Sequence, residues 1–305
     1  MADKLTVRCA TESLARAEPL IGTASRVQRW MVVEQPGAWG REAVVESELD
    51  RDVAAALQES ARRHRVRLLL ARRPGDRRRD AHRRVFLAHS GRERCWIEEL
   101  DVPQDRTDAL LDIDLGVLAF PDAPGVGRPG PPGLSLVCTN GKHDPCCADL
   151  GRPVVRALVA AQAPDVWEVS HVGGDRFAAN IVCLPDGVYY GRVTPAAAAR
   201  LLADHRAGTI DLDHYRGRSY LPPLVQAADL YARRHLDERR RDGLILVSTE
   251  PGADDTVAVV MQQRGGQTVE VTVRRERVAE AAQLTCHVTE PARPWGYRQV
   301  EVRVA

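Results

Sequence analysis

The sequence lacks the features that mark several common classes of protein. Its 305 residues hold 43 Lys and Arg against 42 Asp and Glu, so no excess of positive charge supports nucleic-acid binding. No apolar run approaches the ~20 residues that a membrane-spanning helix needs, and the first residues, MADKLTVRCATES, lack the apolar core of a signal peptide. We therefore expect a soluble, cytoplasmic protein that binds neither nucleic acid nor a membrane.

Aromatic residues and the commonest catalytic motifs are also scarce. Five Trp, six Tyr and three Phe offer few surfaces on which a sugar could stack, and no pair of carboxylates can be singled out for glycoside hydrolysis. No P-loop, G-x-S-x-G or G-x-G-x-x-G opens a helix after a strand. Sugar hydrolysis and nucleotide binding by these routes therefore have no support.

Cysteine is present, but it is too rare and too scattered for a disulfide scaffold, and thiols in the cytoplasm are kept reduced unless they hold a metal or do redox work. Four of the seven cysteines stand alone: Cys9, Cys95, Cys183 and Cys286. The other three, Cys138, Cys146 and Cys147, fall within ten residues. This cluster is the first place to look for chemistry.

Hydrophobic patterning predicts an α/β fold in two blocks, followed by a β-rich end. Residues 1–120 alternate strand and helix patterns, including a helix over 42–64, and form the first block. Nine of the 13 residues in 121–133 are Pro or Gly, which predicts a linker. Residues 134–240 form the second block, and 241–305 a small antiparallel appendage with strands that include QLTCHVT.

The cysteine cluster lies where a strand passes into a helix. The strand LSLVC ends at Cys138, and Asp144 then resembles an N-cap with Pro145 as the first residue of a helix over 145–161. Cys146 and Cys147 would occupy the first turn, where the helix dipole favours a thiolate. A strand over 166–172, a hairpin around Pro185 and helices from Pro195 and over 221–239 complete the block.

A second pair of donors follows the next predicted strand. His171 and Asp175 flank Val172-Gly173-Gly174, and two glycines let the backbone bend close to a bound group. Thiolates and imidazoles presented from loops and helix starts are the ligands that iron and zinc take in proteins. The order Cys, Cys, His, Asp therefore predicts a metal site.

These residues carry a resemblance to a known family. CTNGKHDPCCADLGRPVVRAL and WEVSHVGGDRFAANIVCLPDGVYYGRVTP, with EPLIGTA and RWMVVEQPGAWG before them, resemble the sucrase/ferredoxin-like family, a branch of the thioredoxin-like [2Fe-2S] ferredoxins. The resemblance implies a thioredoxin-like ferredoxin domain over 134–240, and it allows a second, cluster-free thioredoxin-like domain before it. It covers most of the chain and weakens over roughly the last 60 residues.

The resemblance also implies a ligand set for a [2Fe-2S] cluster. The family's first two cysteines correspond to Cys138 and Cys147, and its second pair to His171 and Asp175. Asp175 departs from the relatives that have a second histidine there, which leaves the fourth ligand open. The alternates are Cys146 and His143.

Two further residues, Asn180 and Arg176, are candidates to contact the ligand side chains, but an ordinary turn role is the favoured alternative for Arg176. The expected function is therefore a one-electron carrier that serves an unidentified redox partner protein, rather than an enzyme that turns over a substrate. Three alternatives remain: a cluster-free thiol/disulfide redox protein, a zinc-stabilised module, and an interaction module with a vestigial site.

Overall fold

The computed structural model describes residues 8–75, 80–278, 280–288 and 290–304. In these residues the chain forms five α-helices: α1 (Cys9–Ala15), α2 (Arg51–Arg63), α3 (Pro145–Ala160), α4 (Pro195–Arg206) and α5 (Pro223–His235). Its strands are β1 (Arg29–Glu34), β2 (Val66–Arg72), β3 (His82–Ser90), β4 (Cys95–Pro103), β5 (Arg128–Pro129), β6 (Leu134–Cys138), β7 (Val166–Val169), β8 (Ile181–Leu184), β9 (Val188–Tyr190), β10 (Tyr215–Arg218), β11 (Leu244–Pro251), β12 (Thr256–Gln263), β13 (Thr268–Arg277) and β14 (Trp295–Val304).

Ten of the strands form one mixed sheet, in the order β10-β9-β8-β6-β7-β2-β1-β3-β4-β5, so the α/β class predicted from the sequence is confirmed. Both blocks use the same connections. In the first, β1 and β2 are parallel around α2 and the antiparallel strands β3 and β4 follow beyond β1. In the second, β6 and β7 are parallel around α3, and β8 and β9 follow beyond β6.

The two blocks meet edge to edge within this sheet. Strand β2 pairs with β7 through only two residue pairs, Ala71 with Val169 and Arg72 with Glu168, and the Arg72 guanidinium lies 2.8 Å from the Glu168 carboxylate. The sheet therefore runs without interruption across the boundary between the blocks.

The predicted linker joins the two blocks, yet it is held against the first one. It contributes β5, which pairs with β4 at the edge of the sheet. Just before β5, the Glu98 carboxylate accepts hydrogen bonds from the amides of Gly125, Val126 and Gly127 at 2.7–3.1 Å. The many glycines of the segment allow these amides to turn toward one carboxylate.

Several predicted element limits need correction. The helix predicted over 42–64 begins only at Arg51, because the Asp50 side chain accepts hydrogen bonds from the amides of Asp52 and Val53 and so caps the helix there. The helix predicted over 221–239 spans Pro223–His235, and the strand predicted over 166–172 ends at Val169. The first helix, α1, was not predicted.

One predicted strand is absent from the described residues. In the segment QLTCHVT, the described residues 283–288 form a turn, with one isolated bridge beside them between Ala282 and Ala292. Residue 289 lies outside the described residues. Within this segment, Cys286 contacts Cys9 and Cys146.

The last four strands form a separate antiparallel sheet, β11-β12-β13-β14, which agrees with the β-rich end expected from the sequence. One face of this sheet packs against α5 through fully buried side chains: Val259, Met261, Val269, Val271 and Val273. Burial of each such side chain stabilises the contact by roughly 1.5–3 kcal/mol. The second sheet is therefore held to the second block by an apolar interface.

No helix in the described residues is both long enough and apolar enough to cross a membrane.

Candidate metal centres

The loop between β6 and α3 brings two cysteines face to face. The Asp144 side chain accepts a hydrogen bond from the Cys146 amide at 2.9 Å, and Pro145 opens the helix, as predicted. A Cβ atom on Gly151 would collide with the carbonyl oxygen of Cys138, so α3 lies directly against the end of β6. Cys138 at the strand end and Cys147 in the first helical turn therefore share one buried space.

The loop after β7 presents the second pair of donors. Gly173 and Gly174 adopt φ angles of 96° and 83°, the left-handed region that glycine tolerates. A buried guanidinium, that of Arg216, donates hydrogen bonds to the Gly173 carbonyl at 3.0 Å and to the Asn180 side chain at 2.8 Å. A Cβ atom on Gly174 would collide with this guanidinium. The loop is thus bent tightly around Arg216, with His171 before the bend and Asp175 after it.

Three of the four predicted ligands meet at one point, and the fourth, Asp175, contacts two of them. The Nδ1 atom of His171 lies 4.0 Å from the Cys138 sulfur and 3.9 Å from the Cys147 sulfur. Asp175 Oδ1 lies 3.0 Å from the same nitrogen and 3.5 Å from the Cys147 sulfur. Donor atoms of Cys138, Cys147 and His171 all lie within 4.8 Å of one another, a spacing that could hold a metal ion. We call these four residues the first donor group.

The two alternate ligands are separated by the structure. The His143 ring stacks on the His171 ring, with 3.8 Å between centroids, and its donor atom lies within 4.8 Å of those of His171 and Asp175. Cys146 does not join the first donor group. Its sulfur lies 3.7 Å from that of Cys9 and 3.5 Å from that of Cys286.

The two residues expected to support the ligands both hold the loop. Asn180 donates to the Gly174 carbonyl at 2.9 Å and accepts from Arg216, so it fixes the bend between His171 and Asp175. Arg176 donates to the Glu18 carboxylate at 2.7 Å, which ties the loop to the segment after α1.

Electrostatic interactions within the first donor group favour a protonated His171 beside an ionised Asp175 and Cys138. Burial lowers the pKa of the His171 imidazolium, but hydrogen bonds to Asp175 and Cys138 outweigh burial and raise it to about 9. Burial opposes ionisation of Asp175, yet the His171 hydrogen bond lowers the pKa of that carboxyl. A hydrogen bond between the side chains of Cys138 and Cys147 lowers the pKa of Cys138 and raises that of Cys147. The Cys138 thiolate and the Asp175 carboxylate are therefore anionic donors, whereas His171 and Cys147 must each release a proton to bind a metal ion.

Arg216 was missed in the sequence, as were Cys9 and Cys286. Arg216 has no sequence pattern of its own, because its role depends on the bend of a loop about 40 positions earlier. The adjacent pair Cys146 and Cys147 is the sequence feature that could have indicated Cys9 and Cys286. Neighbouring residues in a helix point about 100° apart, so the two thiols face different directions and Cys146 is free to contact other residues.

The fold and these side chains define a mixed α/β protein with groups of Cys, His and Asp donors that could hold a metal ion. A family model described as Sucrase/ferredoxin-like matches residues 20–217, about two thirds of the chain. The chain therefore belongs to the sucrase/ferredoxin-like family, as the sequence motifs indicated. No curated protein and no solved structure matches it.

Proposed function

We propose that this chain is a one-electron carrier in which Cys138 and Cys147 bind one iron of a [2Fe-2S] cluster and His171 and Asp175 bind the other. The observation that carries the proposal is the convergence of Cys138, Cys147 and His171 from three separate segments, with Asp175 in contact with His171 and Cys147, in a family whose name includes ferredoxin. When bound, such a cluster would supply one-electron transfer. Its redox partner is expected to be another protein.

The fold of both blocks supports the proposal. Each block has two parallel strands around a helix, followed by an antiparallel hairpin on the far side of the first strand. We infer that both are thioredoxin-like and that the second block, over 134–240, is the ferredoxin domain. All four proposed ligands lie in that block.

The chemistry of these side chains is compatible with a [2Fe-2S] cluster. Two thiolates and an imidazole are established ligands of iron–sulfur clusters, and a carboxylate is a hard donor that ferric iron accepts. Cys138, Cys147 and Asp175 are at most 5% exposed, whereas the His171 side chain is 18% exposed. The chain therefore shields the sulfur side from water and leaves the histidine edge accessible. We infer that the redox partner approaches at His171.

A mononuclear zinc site is the second candidate, favoured by the short distances within the first donor group. A thiolate sulfur at about 2.3 Å and an imidazole nitrogen at about 2.0–2.1 Å from one tetrahedral ion lie about 3.6 Å apart. The sulfur-to-nitrogen distances of 3.9 and 4.0 Å are slightly longer than this value. Donors of this kind around a single zinc ion would give a colourless structural site.

Anaerobic purification followed by visible spectroscopy and counts of metal and acid-labile sulfide tests the proposal. We expect about two iron and two sulfide per chain, with visible absorption bands. Cys138→Ser and Cys147→Ser should each abolish the bands. Cys146→Ser and the matched control Cys95→Ser, which changes an exposed thiol, should retain them.

A colourless protein would contradict the electron-carrier proposal. If it held zinc that Cys138→Ser removes, the mononuclear site would take its place. If it held neither iron nor zinc at this point, the vestigial module or the thiol/disulfide protein would follow, according to whether Cys138 and Cys147 are inert or form a disulfide.

A further inference from the structure

A second group of cysteines lies beside the first, on another face of the start of α3. It consists of Cys9 from α1, Cys146 from α3, Cys286 from the turn between β13 and β14, and the Asp144 carboxylate. One donor atom from each lies within 4.8 Å of those of the other three. We propose that this second donor group is a structural zinc site that fastens α1 and the connection between β13 and β14 to α3.

The three sulfur atoms form a nearly equilateral triangle. Their separations are 3.5 Å between Cys146 and Cys286, 3.6 Å between Cys286 and Cys9, and 3.7 Å between Cys9 and Cys146. Thiolates around one tetrahedral zinc ion lie about 3.8 Å apart. A disulfide would need about 2.05 Å between two of the sulfurs and would leave the third without a role. The triangle therefore matches three ligands of one ion.

Asp144 completes the set as the fourth donor. Its two carboxylate oxygens lie 3.9 and 3.8 Å from the Cys9 sulfur, and the residue is fully buried. Carboxylate oxygen is an accepted zinc ligand at about 2.0–2.2 Å. Binding as thiolates would place three further negative charges beside this buried carboxylate, which is costly without a cation. A divalent ion removes this conflict.

Backbone amides donate hydrogen bonds to the donor side chains, as groups around metal ligands usually do. The Cys286 amide donates to Asp144 Oδ2 at 2.7 Å, and the Cys146 amide to Oδ1 at 2.9 Å. The Cys9 amide points to the Cys286 sulfur at 3.5 Å. These bonds orient the ligands and stabilise their negative charge.

Zinc fits this group better than a redox metal does. Cys9 and Cys146 are at most 2% exposed, and the four protein donors leave no position for water or substrate. Closed sites with four protein ligands, rich in thiolate, are typical of structural zinc. The group is also distinct from the first donor group, because adjacent Cys146 and Cys147 point to different sides of the helix.

The position of the site explains what zinc would accomplish. Cys9 and Cys286 are 277 positions apart, and both lie outside the range 20–217 that the family model matches. Helix α1 has seven residues, too few for a stable isolated helix, and it packs beside the 3-10 turn Asp175–Phe177. An ion at Cys9 would hold α1 in this position.

The test counts zinc in the full chain after purification with a reductant from zinc-supplemented medium. We expect about one zinc per chain that Cys286→Ser and Cys146→Ser each remove, while the visible spectrum and iron content are retained. Cys95→Ser is the matched control and should keep its zinc. X-ray absorption at the zinc edge should find three sulfur neighbours at about 2.3 Å and one oxygen at about 2.0–2.2 Å.

Stability supplies a second measurement. A zinc chelator should lower the melting temperature of the parent chain by about 5 °C or more and should leave Cys286→Ser unchanged. If Cys146→Ser fails to fold, Cys9→Ser and Cys286→Ser test the same site through its other two cysteines.

Three results would overturn the proposal. Zinc that survives Cys286→Ser would show that the group binds none, and zinc that only Cys138→Ser removes would belong to the first donor group. Iron in place of zinc at Cys286 would refute a structural zinc site. Failure of the electron-carrier proposal is distinguishable, because it would appear as missing colour and sulfide and would leave the zinc count at Cys286 unaffected.

Discussion

Asp175 supplies the carboxylate of the first donor group, where it contacts His171 and Cys147. A carboxylate ligand carries one negative charge that a neutral imidazole lacks. Added negative charge beside a cluster disfavours the reduced state. The aspartate should therefore hold the reduction potential below that of a chain with two histidines.

Replacing Asp175 by His should raise the reduction potential, on the order of 100 mV. Potentiometric titration of both proteins checks this expectation. The matched control is Asp149→His, which removes the same charge from an exposed residue that pairs with Arg8, and it should move the midpoint far less. Equal midpoints for parent and Asp175→His would show that Asp175 does not touch the metal, which would turn attention to His143.

Individual site residues could be predicted from the sequence where the pattern that marks them lies within a short segment. Cys138, Cys147, His171 and Asp175 could be named because each pair lies in a short segment with its own capping or glycine pattern, and because the family resemblance ordered them. Cys9 and Cys286 could not be named. Each is a lone cysteine, and only the tertiary fold brings together thiols 277 positions apart.

Helix α3 is the element on which both donor groups depend. Its first turn directs Cys147 to one group and Cys146 to the other, while Gly151 sets its distance from β6. The start of the helix was predictable, since Asp144 and Pro145 form a standard N-terminal pattern. The closeness to β6 was not, because a helical glycine alone does not reveal what lies against it.

Gly151→Ala should destabilise the protein by about 1–3 kcal/mol, because the new methyl group must displace α3 from the Cys138 carbonyl. It should also reduce iron bound per chain, since the two cysteines separate. Urea unfolding and visible absorbance per chain measure these effects. Arg152→Ala, on the exposed face of the same helix, should stay within about 0.5 kcal/mol of the parent. A Gly151→Ala protein as stable as the parent would mean that α3 does not pack closely against the Cys138 carbonyl.

On the scale of the whole molecule, the sequence indicated two α/β blocks and a β-rich end, but not that the blocks share one sheet. Alternation of strands and helices is visible in local patterning. Pairing of β2 with β7 rests on two residue pairs and the ion pair of Arg72 with Glu168. No local periodicity encodes such a contact, because its partners are almost 100 positions apart.

The second block is also joined to the C-terminal part of the chain by a buried charged group centred on His205 in α4. The His205 ring lies 3.3 Å from the Asp186 carboxylate and 2.9 Å from the Tyr190 hydroxyl. Arg241, just before β11, donates to the same carboxylate at 2.6 Å. Asp186 therefore connects the β8–β9 turn, α4 and the approach to the second sheet.

This group predicts a pH dependence of stability. Burial lowers the pKa of His205, but the neighbouring Cys183 thiol and the Asp186 carboxylate outweigh burial and raise it to about 9, above about 6.5 for an unfolded histidine. A raised pKa contributes stability that is fully present below about pH 6.5 and is lost as the pH rises through about 9. We expect the free energy of unfolding to fall by on the order of 2 kcal/mol over this range.

Urea unfolding of the parent and of His205→Gln, under reducing conditions at pH 6.5 and 9.5, measures this effect. Both proteins share the titration of the cysteines, so comparing them removes that contribution. Glutamine can keep one hydrogen bond but cannot gain a proton, so the difference in unfolding free energy between the two proteins should be large at pH 6.5 and should shrink at pH 9.5. A difference that stays constant across this range would mean that His205 is neutral in the folded protein and that Arg241 alone balances Asp186.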